Sequence, residues 1–469
     1  MNKGSNIPHL PFVWRGKDEF SKGAGVVGEY IRKKRLRAGV AGLAGLLMSL
    51  MLLAGCSSSS REQAGTTPTG AQTDSSASTK SEAAAPSATT DSAAKPSAGD
   101  RAPESSPPAE KRITVPTGQP PAANQAQAGQ LTAGEWNDLR GWDAWLGTLN
   151  KPEYSGYLGR WRMYPQQRVT VKVTSGQEPA ADAAVELQAL GDGQEVWKAR
   201  TNNRGEAELF VGAFGPRPKD TYKIKVTSGQ VSKELDAVQL QYRTELAVDL
   251  GGGVRNPGGT ADLMLVVDTT GSMADELDYI TAELSDVVER VKSQHEGAPL
   301  EMNLSANFYR DHGDDYVVRP FSFTKDVKEA VGQLGRQTAK GGGDTPEAVE
   351  EALEDALLGH QWSESARARL LFLVLDAPPH GSEAAVSKMG ELARTAARMG
   401  VRIIPVASSG VDTNTEFLMR SLAAFSGGTY VFLTNHSGIG GSHADPVVGE
   451  YKVEFLNDLM VRVISEYTK

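Results

Sequence analysis

Hydrophobic positions along the chain keep two different periods. From Arg168 they alternate, with Val169, Val171 and Val173 set against Thr170, Lys172 and Thr174, as in a strand with one buried face. Short runs follow at Ala184–Leu190, Val196–Ala199, Glu206–Val211, Tyr222–Thr227 and Val238–Val248, separated by turns such as Gly191-Asp192-Gly193 and Asn202-Asn203-Arg204-Gly205. About seven short strands of this kind predict a small β-sandwich over residues 165–250. Beyond residue 260 the pattern changes. Unbroken apolar runs, Leu263–Val267 and Leu370–Leu375, alternate with stretches whose apolar residues recur every three or four positions. Ala274–Lys292 is the clearest, with Leu277, Ile280, Leu284, Val287, Val288 and Val291 on one side. Helices are also predicted at Ala348–Leu358, Ala385–Met399 and Val453–Tyr467, and strands at Leu300–Phe308, Val317–Phe323, Val401–Ala407 and Thr429–Leu433. Alternation of this kind gives an α/β class, a doubly wound and mostly parallel sheet.

Ahead of both regions the composition shifts abruptly. In 131–164, Thr132-x-x-Glu135 fits a capping box, and Trp136, Leu139, Trp142, Trp145 and Leu149 form one apolar side. The segment reads as an aromatic-rich helical stretch that packs on a neighbouring domain. Residues 56–130 hold no aromatic residue and are dominated by Ser, Ala, Thr, Pro and Gly. Such a segment buries too little surface to offset its ordering entropy, so a disordered tether is expected.

The first 55 residues read as an address. A basic cluster, Arg32-Lys33-Lys34-Arg35 with Arg37, precedes an apolar run from Ala38 to Ala54 and then Leu53-Ala54-Gly55-Cys56. Basic region, apolar core and small-residue exit make a secretory signal. Leu-Ala-Gly-Cys resembles the bacterial lipobox, which implies cleavage before Cys56, lipidation of that residue and membrane attachment through acyl chains. Cys56 is the only cysteine, so internal disulfides are excluded.

The chemistry concentrates after residue 260. The glycines of 251–259 precede a strand and lack the G-x-G-x-x-G spacing, so they read as a hinge and nucleotide binding is not expected. Leu263–Val267 stops at Asp268, followed by Thr270 and Ser272. Three hard oxygen donors at a strand's carboxyl end suit Mg²⁺, although the same residue types also begin helices. Two later stretches add to the pattern. Gly341-Gly342-Gly343-Asp344-Thr345-Pro346-Glu347 opens a helix, and Leu370–Leu375 ends at Asp376 before Ala377-Pro378-Pro379-His380.

With these, residues 260–469 resemble the von Willebrand factor A (vWA) family and its metal-ion-dependent adhesion site. The site's Asp-x-Ser-x-Ser, distant Thr and distant Asp fall on Asp268, Thr270, Ser272, Thr345 and Asp376. Thr270 stands in place of the first Ser and keeps a hydroxyl oxygen. The resemblance implies a divalent cation, Mg²⁺ first and Mn²⁺ or Ca²⁺ as alternatives, with one coordination position left for an acidic side chain of a partner. Asp311, His312, His380 and His436 are candidates for the surrounding ligand rim. For Asp311 with Asp314 a second cation site and a solvated turn both remain open. The phrases Ala183–Leu187 and Thr201–Ala207 resemble immunoglobulin-like or carboxypeptidase-regulatory-like modules.

Composition narrows the function. A net charge of −9 over 469 residues argues against general nucleic-acid binding. No G-x-S-x-G, His-Glu-x-x-His or phosphate-loop motif occurs, and the single cysteine is assigned to the anchor, so no enzyme is expected. The sequence predicts a lipid-anchored extracytoplasmic protein, at the cell surface or in the outer membrane or periplasm. It would bind a protein or matrix ligand bearing an exposed Asp or Glu through the metal. The alternative is an envelope scaffold that recruits a neighbouring membrane complex without metal-dependent adhesion.

Overall fold

A computed structural model describes residues 126–215, 221–241, 243–254, 256–294 and 300–469. The signal region 1–55, Cys56 and the tether up to residue 125 lie outside the described residues. All described residues fall in a single compact unit.

Burial explains the central strands. β10 (Thr260–Asp268) and β13 (Ala368–Leu375) are buried along almost their whole length, as their unbroken apolar runs require. Successive side chains of β10 still part to opposite faces. Leu263, Leu265 and Val267 join one core cluster, and Met264 and Val266 join the other. The sheet has eight strands in the order β12-β11-β10-β13-β14-β15-β1-β16, where β1 is Thr132–Trp136 and β16 is Val453–Phe455. β11 (Glu301–Tyr309), β10, β13, β14 (Val401–Ala407) and β15 (Tyr430–Leu433) run parallel, and β12 (Val318–Arg319) is an antiparallel edge. The predicted strand over Val317–Phe323 is therefore shorter than its apolar pattern suggested.

Helices cover both faces. α3 (Leu277–Gln294), α4 (Val327–Leu334) and α8 (Leu456–Thr468) bury Leu284, Val288, Leu334 and Leu459 in the cluster of Leu263 and Leu265. On the other face lie α5 (Val349–Glu354), α6 (Glu383–Met399) and α7 (Thr413–Ser426), with Val349, Met389 and Phe417 in the second cluster. α4 and α7 carried sequence signals that the apolar period alone missed. Asp326 and Asp412 cap them by accepting from the backbone N–H of Lys328 and Thr415.

One element departs from expectation. Thr132–Trp136 is not the start of a helix but a strand, β1, lodged antiparallel between β15 and β16 (Val453–Phe455). Glu135 makes no capping box; it accepts from Thr429 Oγ1 at 2.8 Å and from Arg462 at 2.8 Å. Gly134 permits the close approach, since a Cβ there would lie 2.5 Å from the Phe432 ring. The helix begins only at α1 (Trp142–Leu149), followed by α2 (Tyr154–Trp161). Trp142, Trp145 and Trp161 are buried in the same cluster as Phe417 of α7, so these aromatics act as packing.

Between these helices and β10 lie two four-stranded sheets. One pairs β2 (Arg168–Ser175) with β3 (Glu178–Pro179), β6 (Glu206–Phe210) and β9 (Arg243–Asp249). The other has the order β5-β4-β7-β8, spanning Glu195–Arg200, Ala184–Ala189, Thr221–Ser228 and Val231–Gln239. Their inward residues, Val169, Val171, Leu187 and Ile224 among them, share the cluster that backs α6 and α7.

Candidate functional site at the carboxyl edge of the sheet

The chain leaves β10 for β11 on one side and later returns to β13 on the other. Strand order therefore reverses at β10, and in open α/β sheets ligands bind at that crevice. Val267 pairs with Val374, which puts Asp268 and Asp376 at the same edge on adjoining strands. Four loops meet there through their backbones. Gly271 N donates to Gly341 O at 3.0 Å, Lys340 N to Thr269 O at 3.0 Å, and Glu347 N to Pro378 O at 3.0 Å. Ala348 N donates to Arg310 O at 3.3 Å, tying in the loop after β11. Gly341 and Gly342 have φ of +80° and +68°, and a Cβ on Gly341 would collide with the Asp314 carboxylate, so glycine is required at the crossing.

Within that frame Asp268, Thr270 and Ser272 converge. Asp268 Oδ1 accepts from Thr270 N at 2.8 Å and Thr270 Oγ1 at 2.7 Å, and Thr270 Oγ1 lies 3.1 Å from Ser272 Oγ. Asp268 and Thr270 are wholly buried, whereas Ser272 is exposed and opens the group to solvent. Of the other predicted ligand, Thr345, the structure gives an exposed position in the 341–347 loop. Glu347, two residues further on, is buried at the edge, and nothing in its residue type or spacing singled it out.

Hydrogen bonding separates this edge from the rest of the core. Asp262, on the same strand as Asp268 but at its other end, is equally buried and well satisfied. It accepts from Asn303 Nδ2 at 2.7 Å, Ser363 N at 2.7 Å and Ser363 Oγ at 2.8 Å. Glu283 likewise takes the backbone N–H groups of Gly129, Gln130 and Leu131. At the carboxyl edge, by contrast, Asp376 Oδ1 and Glu347 Oε2 are buried without a hydrogen-bond partner, and Asp268 Oδ2 interacts with the buried Tyr309 hydroxyl without a well-formed hydrogen bond. Buried polar atoms are normally paired, and an orphaned group of carboxylate oxygens fits a cation supplied from outside the chain.

The electrostatics agree. Burial, then the Asp376 charge, pushes the Asp268 carboxyl up to about 7. Burial raises Asp376 to about 6, against the lowering effect of the Ser272 hydroxyl. Glu347 is pushed up to about 9 by burial and by the charges of Asp268, Asp311, Asp376 and Asp314. A divalent ion among these oxygens would reverse each shift, because it favours the charged form.

Beside this group, Asp311, His312 and His380 bring their ligand atoms within 4.8 Å of one another, a cluster able to coordinate a divalent cation. His436, the remaining rim candidate, is exposed in the loop after β15 and stands outside that cluster.

Residues 262–438 match the von Willebrand factor A domain family. The chain carries a vWA-type domain. The vWA match runs from within β10 into the loop after β15, including Asp268, Asp311, His312, Thr345, Asp376 and His380. Such domains are adhesion and ligand-binding modules. Curated relatives include a putative ariadne-like RING finger protein R811 of Acanthamoeba polyphaga mimivirus, 28% identical over 119 residues, 25% of this chain and 11% of that protein. Another is the alpha-protein kinase vwkA of Dictyostelium discoideum, 29% identical over 209 residues, 43% of this chain and 31% of the kinase. The chain spans less than a third of the length of either. Similar solved structures include a conserved hypothetical protein BatB from Bacteroides thetaiotaomicron, with TM-score 0.31 and 14% identity, covering 44% of this chain and 98% of that one. An aerotolerance-related membrane protein from Bacteroides fragilis, carrying multiple mutations to serines, aligns with TM-score 0.28 and 13% identity over 44% of this chain and 98% of its own. Among the described residues, no helix is long and apolar enough to cross a membrane.

Proposed function

We propose that the chain is an extracytoplasmic lipoprotein whose vWA domain binds an acidic protein or matrix ligand through a divalent cation. Mg²⁺ is the leading ion, held by Asp268, Thr270, Ser272 and Asp376, with Thr345 turning in from its exposed loop as the fifth ligand. Cys56 would carry the acyl anchor, and the residues after it would give the domain reach from the membrane. The observation that supports this reading most directly is the pair of buried carboxylate oxygens on Asp268 and Asp376 that lack a well-formed hydrogen bond, beside two hydroxyls and open to solvent at Ser272. Two carboxylates leave the ion electrophilic enough to accept a third from a partner.

Titration of Mg²⁺ into the purified full-length chain tests the site. Saturable binding, lost in Asp268→Ala and Asp376→Ala while both variants stay folded, is the expected result. Failure of the parent chain to bind either Mg²⁺ or Mn²⁺ would end the proposal. The anchor is tested separately: Cys56→Ser should move the protein from the membrane fraction to the soluble extracytoplasmic fraction.

A further inference from the structure

The Asp311, His312 and His380 cluster differs in chemistry from the oxygen group beside it. Asp311 is 7% exposed, yet its Oδ1 makes no hydrogen bond although His380 Nε2 stands 3.3 Å away. A metal bound tetrahedrally at about 2.0–2.1 Å holds neighbouring ligand atoms about 3.3–3.4 Å apart. The Asp311–His380 gap of 3.3 Å matches the edge of such a tetrahedron. The other ring nitrogen has its own carboxylate. His380 Nδ1 faces Glu350 Oε1 at 3.6 Å, just beyond hydrogen-bond distance and with no other partner, and the Glu350 side chain is only 4% exposed. Metal-bound histidines usually give their second N–H to a carboxylate, which fixes the tautomer and the ring plane.

The third member lies at the surface. The His312 side chain is 55% exposed, and its ring lies 5.4 Å from that of His380, centroid to centroid. It can turn toward Asp311 without disturbing the core. Glu351, 3.7 Å from His312, is shared with Lys388 at 3.6 Å, so that carboxylate already faces a cation.

We propose that Asp311, His380 and His312 form a second cation site, distinct from the oxygen-only group and selective for a borderline divalent ion such as Zn²⁺. Asp311 Oδ1 and the two imidazoles are the ligands, Glu350 is the positioning residue, and a fourth coordination position stays open. Imidazole nitrogen suits zinc and other later transition ions and is a poor ligand for Mg²⁺. The vWA rim would then present two cations of different selectivity, separately loaded. The inference does not need the Mg²⁺ reading to hold.

Zn²⁺ is titrated into untagged, full-length chain with millimolar Mg²⁺ present throughout. One equivalent of Zn²⁺ should bind, and affinity should fall at least tenfold in His380→Ala and in His312→Ala. Glu350→Gln should weaken it roughly tenfold to a hundredfold, as outer-shell partners do, while Asp376→Ala should leave it within threefold. Co²⁺ gives an independent reading, since its visible ligand-field bands should collapse on loss of either imidazole. Unchanged Zn²⁺ binding in both histidine variants would overturn the proposal, and so would loss of Zn²⁺ binding in Asp376→Ala. If His380→Ala fails to fold, exposed His312 carries the same test.

Discussion

Asp268 and Asp376 show what one edge of the sheet demands of single residues. Without a cation their carboxyls are held up to about 7 and about 6, mainly by burial. An acid whose folded pKa exceeds its unfolded value binds more protons when folded. Its contribution to stability is complete below the ordinary carboxylate range, near pH 4, and is lost as pH rises through 6 to 7. In chelator, stability should therefore fall between about pH 4 and pH 7, by an amount on the order of a few kcal/mol, with the melting temperature falling over the same range. Saturating Mg²⁺ should remove most of that slope. Asp268→Asn should flatten it in chelator and abolish the Mg²⁺ shift, and thermal melts across pH with and without the ion check all three outcomes. A slope that Mg²⁺ leaves unchanged would place the unpaired carboxylates outside any cation's reach.

At the scale of elements, β1 is the decisive piece. It fills the sheet between β15 and β16 although more than a hundred residues separate it from β10, so the parallel sheet is completed by a strand from ahead of the small sheets. The backbone before it is clasped by Glu283 of α3. Just after it, Asp138 pairs with Arg420 of α7 at 2.7 Å, and Glu416 holds the same guanidinium at 2.8 Å. The side chains of Arg420, Asp138 and Glu416 are 2%, 3% and 6% exposed. Removing one partner of such a buried set leaves an uncompensated charge, so Arg420→Ala should cost about 3–5 kcal/mol in chemical denaturation. Gly134→Val should cost about 1–3 kcal/mol by overpacking against Phe432 and Tyr451. A fragment beginning at residue 251 should aggregate where one beginning at residue 126 is monomeric, because it leaves the β15 edge bare. Size-exclusion chromatography of the two fragments decides this.

For the whole molecule, the small sheets and the vWA region are not loosely strung. Trp197 of β5 packs against Phe425 of α7 with ring centroids 5.6 Å apart, and Arg394 of α6 donates to Val196 O at 3.0 Å. Arg369 of β13 grips Asp182 through both guanidinium arms, at 2.8 and 3.2 Å, with side chains 4% and 9% exposed. One core cluster runs through both regions. Unfolding of residues 126–469 should thus appear as a single transition by calorimetry. Asp182→Ala should lower its midpoint by the equivalent of about 3–5 kcal/mol, as expected for stranding a buried arginine. Two resolved transitions in the parent chain would show the regions to be energetically separate.

Local sequence decided much of this architecture, because local physics was enough. An unbroken apolar run must be a strand buried on both faces, and a three-and-four repeat must be a helix with one buried side. Those rules sufficed for β10, β13, α3 and α6, and the carboxylates ending two of the runs marked the edge at which the cation is proposed to bind. Tertiary structure alone decided the rest. Thr132–Glu135 satisfies a capping box and also makes a strand, and only the vacant lane between β15 and β16 selects the strand. Glu347 looked like an ordinary helix-opening acid, and its burial against Asp268 and Asp376 depends on four loops crossing. Asp311, His312 and His380 lie on two loops almost seventy residues apart, joined because β11 and β13 flank β10. Spacing along a chain records periodicity; which carboxylates lose their water and find no donor is a property of the packed edge.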